Sequence, residues 1–95
     1  MRKYLIALCA VCAAGAVNAA TFDKNDGSVC ADMAAFARAL QDEGICSAKQ
    51  LGAGGTFAGD TFNADKSDGD ICANAAAFVK TLQDEGICSA KQLGL

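Results

Sequence analysis

The chain has 95 residues, six cysteines, no histidine, no tryptophan and a formal net charge of −3. That length allows one small domain, with little volume for a deep catalytic cleft. The acidic balance argues against binding nucleic acid or an anionic membrane through the net field.

Residues 1–19 read as a targeting segment. Arg2 and Lys3 form a short positive start, and Tyr4 to Val17 follow with no charge. Val17-Asn18-Ala19 then offers permitted residues at the two positions a signal peptidase reads. A signal peptide is expected, cleaved after Ala19 or, as the alternative, after Ala20. The uncharged run spans 14 residues, which is short for a bilayer, and no stable membrane insertion is expected after cleavage. Cys9 and Cys12 make a C-x-x-C pattern inside the segment expected to be removed, so no redox role is assigned to them. Residues 1–19 hold two positive charges and no negative one, which takes the remainder from −3 to −5. The expected location is exported, either periplasmic or extracellular.

The remainder contains a close internal repeat. Ser28 to Gly52 and Asp70 to Gly94 align at an offset of 42 residues, with 18 of 25 positions identical. Asp23 to Gly27 aligns with Asp65 to Gly69 at the same offset. We read one duplicated domain over residues 20–95, with repeat one at 23–52, a linker at 53–64 and repeat two at 65–94. A unit of this period generally needs its neighbour to bury its apolar face.

Each repeat opens on an acidic turn. Asp23, Asn25 and Asp26, with Asp65, Ser67 and Asp68, cluster hard oxygens that are weak candidates for a divalent cation. The EF-hand pattern fails in both copies, because its positions six and twelve fall on Ser28 and Ala34 and on Asp70 and Ala76. The plain reading is a turn that feeds a helix, with acids near its positive end. Neither a metal nor a cofactor is assigned.

Ser28 and Asp70 are the predicted N-caps. Val29, Met33, Phe36 and Leu40 fall on one stripe at helical spacing, as do Ile71, Ala75, Phe78 and Leu82. The helices should end at Glu43 and Glu85, stopped by Gly44 and Gly86, with Ile45 and Ile87 folding back on Leu40 and Leu82. Ser47 to Gln50 and Ser89 to Gln92 carry a capping-box pattern that opens one short turn of helix. The glycine-rich stretch between the repeats reads as a flexible connection, with Phe57 and Phe62 anchoring it on the helices and Phe22 matching them ahead of repeat one. The predicted fold class is therefore all-α: two main helices and two one-turn helices, cross-linked between repeats.

Cys30, Cys46, Cys72 and Cys88 are the expected disulfide cysteines. A continuous helix separates Cys30 from its expected end at Glu43 by roughly 20 Å, and the three further residues to Cys46 recover only about 10 Å. A disulfide needs its Cα atoms within about 7 Å, so neither repeat closes on itself. Two connectivities survive. An antiparallel helix pair gives Cys30–Cys88 and Cys46–Cys72; a parallel pair gives Cys30–Cys72 and Cys46–Cys88. The common return of adjacent helices favours the antiparallel one. The cysteine spacing does not fit zinc knuckles.

No catalytic residue is assigned. Ser47 and Ser89 are explained as caps, and Asp42-Glu43 and Asp84-Glu85 sit at helix ends. The duplicated surface carrying Gln41, Asp42 and Lys49, and Gln83, Asp84 and Lys91, is expected to present two equivalent protein-contact patches. The expected function is a small structural or interaction protein with an unidentified protein partner. The alternatives are a binder of a divalent cation or small ligand through the acidic turns, and a secreted effector or inhibitor. A dimer, linked by exchanged disulfides or non-covalent, also fits identical repeats.

Overall fold

The computed structural model describes residues 19–95. The expected leader lies outside the described residues apart from Ala19, as do Cys9 and Cys12. The elements in chain order are β1 (Ala19–Asp23), α1 (Val29–Asp42), α2 (Ala48–Leu51), β2 (Thr61–Asp65) and α3 (Ile71–Asp84).

The all-α expectation is corrected: β1 and β2 form a two-stranded antiparallel ribbon, which pairs Phe22 with Phe62 and Ala20 with Ala64. Both strands alternate, turning Phe22, Phe62 and Ala64 inward, while Thr21, Asp23, Thr61, Asn63 and Asp65 stay exposed. The inner face then rests on the helices, with Phe22 5.3 Å from Phe36 and Phe62 5.2 Å from Phe78, centroid to centroid. An isolated two-stranded ribbon is marginal in water. This one forms because it roofs the apolar stripes of the two main helices. The region expected to be a linker therefore ends in a strand.

Local signals set both helix ends. Gly44 and Gly86 take φ of +74° and +72°, which a residue with a Cβ adopts only with strain. The Ile45 N–H donates to the Leu40 carbonyl at 2.9 Å and the Gly44 N–H to that of Gln41 at 3.0 Å, and repeat two makes the same bonds. This is the Schellman arrangement. Ser47 and Gln50 cap each other reciprocally, as do Ser89 and Gln92, but only the first pair opens a short helix; residues 90–94 form a turn, which corrects the second one-turn helix expected there. The N-caps stand at Ser28 and Asp70 as expected, but the side-chain cap bond expected of them is absent. Ser28 and Asp70 make no side-chain cap bond, because their backbones (φ −101°, ψ 6° and φ −102°, ψ 13°) already lie near the helical region. The Asp26 and Asp68 carboxylates instead accept from the N–H groups of Ser28 and Asp70 at 3.0 Å, which turns the chain into the helix.

Cys30 joins Cys88 and Cys46 joins Cys72, each with Cα atoms 5.7 Å apart. The start of each main helix is thereby fixed just beyond the end of the other, so the helices run antiparallel. Lys24 pairs with Glu85 at 3.0 Å and Lys66 with Glu43 at 2.7 Å. Each of these links has a twin displaced by 42 residues, and the strand register places Thr21 opposite its repeat equivalent Asn63. An approximate two-fold axis thus runs between Thr21 and Asn63 and relates the two repeats.

The paired lysines are nearly buried, with side chains 10 % and 8 % exposed against glutamates about half exposed. Removing a glutamate strands a desolvated ammonium. Glu43→Ala is expected to cost about 1–2 kcal/mol, discounted for the exposed carboxylate. Glu85→Ala should cost less, because Asp60 also lies 3.8 Å from Lys24. Chemical denaturation of the two variants checks this; equal losses would remove any part for Asp60.

Candidate functional site

The sequence-predicted site residues fall into three groups. The four cysteines are consumed in the two disulfides. Such bonds persist in an oxidising, extracytoplasmic environment. Among the described residues no helix is long and apolar enough to cross a membrane.

The acidic turns come next. Each carboxylate is engaged by its own loop: Asp23 accepts from the Asn25 N–H, Asp26 from that of Ser28, Asp65 from that of Ser67 and Asp68 from that of Asp70. These are Asx turns. Among the described residues no three acidic or cysteine side chains come together as a metal-binding group. Asp65 accepts a second bond from the Ser67 hydroxyl at 2.7 Å, much shorter than the 3.5 Å second bond that Asp68 accepts from the Asn74 amide. That hydroxyl, with the Ser67 N–H, holds the Asp65 carboxyl below its ordinary range. The depressed value makes ionised Asp65 favour the fold above the ordinary aspartate pKa. That contribution is lost as pH falls through the lowered value. Ser67→Ala is expected to return the Asp65 titration toward the ordinary value, read by carboxyl NMR; an unmoved titration would rule out the hydroxyl as the cause.

The polar patches form the third group. Gln41, Asp42, Lys49, Asp84 and Lys91 are exposed, whereas Gln83 is half-buried. Asp84 is held by Lys80 at 2.9 Å and Asp42 more loosely by Arg38 at 3.6 Å. The two patches are therefore not equivalent: Lys80 stands where repeat one has Arg38, and only the second patch lies beside the linker. It runs along α3, with Gly54 against the Lys80 stem and Gly55 against Ala77. The Phe57 N–H donates to the Thr81 hydroxyl at 3.3 Å. The Phe57 ring stands edge-on to Phe62 and Phe78, at 5.5 and 5.1 Å.

No described segment runs along α1 in the same way. Two adjoining hollows open there instead. One, of about 620 Å³, is bounded by Ala34, Arg38, Gln41, Asp42, Leu93 and Leu95. The other, of about 310 Å³ and mostly apolar, is bounded by Ala20, Phe22, Phe36 and Ala39, with Asp32, Glu43 and Lys66 at its rim. Ala35 lines both. Gln41 and Asp42 are thus the predicted contact residues that the fold gathers at a concave surface. Sequence reasoning missed Ala20, Ala35 and Ala39. The one available signal was the comparison with Phe62, Ala77 and Thr81 at the equivalent positions.

Comparison with protein families, curated proteins and solved structures gives no match. The functional reading accordingly rests on the geometry of the molecule itself.

Proposed function

We propose that this is a small exported structural or interaction protein that works by binding another protein and carries out no chemistry of its own. The observation that supports the reading is the build of its surface. A scaffold closed by two long-range disulfides presents the same Gln-Asp-Glu-Gly-Ile segment at the end of each main helix. Rigid presentation of this kind lowers the ordering cost of association. Leader-directed export into a periplasmic or extracellular compartment belongs to the same proposal, and the disulfide chemistry agrees with it.

The test is capture from the native cell envelope or medium with the oxidised protein as bait. A partner retained by the protein, and lost when Gln41, Asp42 and Lys49 are scrambled together with Gln83, Asp84 and Lys91, is the expected result. Undiminished capture by the scrambled protein would remove these residues as the contact surface. Intact mass of the exported chain, starting at Ala20 or Thr21, checks the export half; a retained leader would overturn it.

A further inference from the structure

We propose that the open groove along α1 is a docking site for an extended segment of another protein: small residues leading into one aromatic ring. The two-fold relation between the repeats carries the inference. The groove residues Ala20, Phe22, Ala35, Phe36, Ala39 and Lys66 correspond to Phe62, Ala64, Ala77, Phe78, Thr81 and Lys24. At this second set of positions the structure shows what the surface holds. Gly54 and Gly55 pass over Lys80 and Ala77, and two residues later the Phe57 ring packs edge-on against both Phe62 and Phe78.

The cover changes the burial of α3 relative to α1. Ala76, Ala77 and Thr81 are buried on α3, whereas their equivalents Ala34, Ala35 and Ala39 are partly or fully exposed on α1. Five residues of α1 are buried against eight of α3, and these three positions account for the difference. Among the described residues, the same helical surface is thus closed by a Gly-Gly-x-Phe segment in one repeat and open in the other.

The lining also states what the occupant should look like. Ala35 repeats Ala77, which meets Gly55 so closely that a Cβ there would stand 3.3 Å from its Cβ. The occupant therefore needs a glycine or other small residue over Ala35, two positions before its ring. Ala20 stands in place of Phe62, which leaves room for a ring at least as large as phenylalanine. Lys66 has Glu43 as its acidic partner among the described residues, while Lys24 has both Glu85 and Asp60. An acid three positions after the ring would repeat the Asp60 contact. A second copy of this chain is disfavoured as occupant, because its Phe57 would have to leave the ring cluster and the Thr81 hydroxyl. This is a different surface requirement from the polar patches; only the idea of a protein partner is shared.

The probe is the capped peptide Ala-Gly-Gly-Thr-Phe-Ala-Gly-Asp, the sequence of residues 53–60, titrated into the oxidised protein produced from its full coding sequence and followed by methyl and amide NMR. Saturable shifts at Phe22, Ala35 and Ala39 are expected. The peptide with alanine in place of phenylalanine should bind at least about tenfold more weakly, as for loss of a buried aromatic anchor. Ala39→Thr in the protein restores the hydroxyl acceptor and should tighten binding about fivefold, the ordinary worth of one hydrogen bond. Ala35→Leu should abolish binding while leaving the melting temperature within a few degrees, since Ala35 is exposed.

Three results would overturn the proposal. One is no saturable shift at several millimolar peptide, or binding indifferent to the phenylalanine. Another is a concentration-dependent dimer that Phe57→Ala dissolves, which would assign the groove to a second copy. The third is peptide binding that appears only after residues 1–19 are removed, which would assign it to the chain's own preceding segment. Envelope capture and peptide titration fail independently, so the loss of one reading does not carry the other with it.

Discussion

Reduction of Cys30–Cys88 and Cys46–Cys72 is expected to unfold most of the protein. The bonds close sequence separations of 58 and 26 residues. On the chain-entropy account these contribute about 4 and about 3.5 kcal/mol, somewhat less together because one loop lies inside the other. Their sum is comparable to the whole net stability of a small domain, about 5–15 kcal/mol. The other long-range ties, namely the ribbon, the ring cluster and the Lys24–Glu85 and Lys66–Glu43 pairs, all depend on the two helices that these bonds hold together. A paired Cys30→Ala and Cys88→Ala variant should lose about 4 kcal/mol, a fall in Tm of roughly 15–30 °C for a domain of this size. The Cys46→Ala and Cys72→Ala pair should lose slightly less. Far-ultraviolet circular dichroism with and without reductant reads this directly. Full helicity and a cooperative melt in reductant would mean that the apolar core suffices alone.

Phe78→Ala should be the most damaging single core truncation, at about 4–5 kcal/mol, and should exceed its repeat equivalent Phe36→Ala by about 1 kcal/mol. Phe78 is fully buried, and it packs against both Phe57 and Phe62. Phe36 is nearly as buried but meets Phe22 with no ring in the place of Phe57. The excess measures the capping ring, so a Phe57→Ala background should erase it. Urea unfolding of the three single variants and of the two doubles that combine Phe57→Ala with Phe36→Ala or Phe78→Ala closes that cycle. Equal losses at Phe36 and Phe78 in the original background would show that the linker ring adds nothing, and would weaken the groove argument with it.

Much of the local structure was legible in the residues. The apolar stripe set the helical segments, and Gly44 and Gly86 set where they stop, with Ile45 and Ile87 returning onto Leu40 and Leu82. Ser47 with Gln50 and Ser89 with Gln92 specified their own caps. Each of these features is decided within about six residues, by backbone geometry and the bonds open to nearby donors. The length of one helix also excluded a disulfide within a repeat. The N-cap positions were legible too; only the cap bond was misjudged, because the Asp26 and Asp68 carboxylates take the N–H groups of Ser28 and Asp70 in the same turn.

What the sequence by itself determined, then, was the helical unit, its duplication and a short choice of cross-links. Only the tertiary structure decided between antiparallel and parallel pairing, made strands of Ala19–Asp23 and Thr61–Asp65, and left one helix covered and the other open. Five-residue strands find their hydrogen-bond partners 38 to 46 positions away, where no local pattern reaches. The asymmetry of the groove lies in what the described residues lay on each helix: residues 54–57 cover α3, and no described segment covers α1 in the same way.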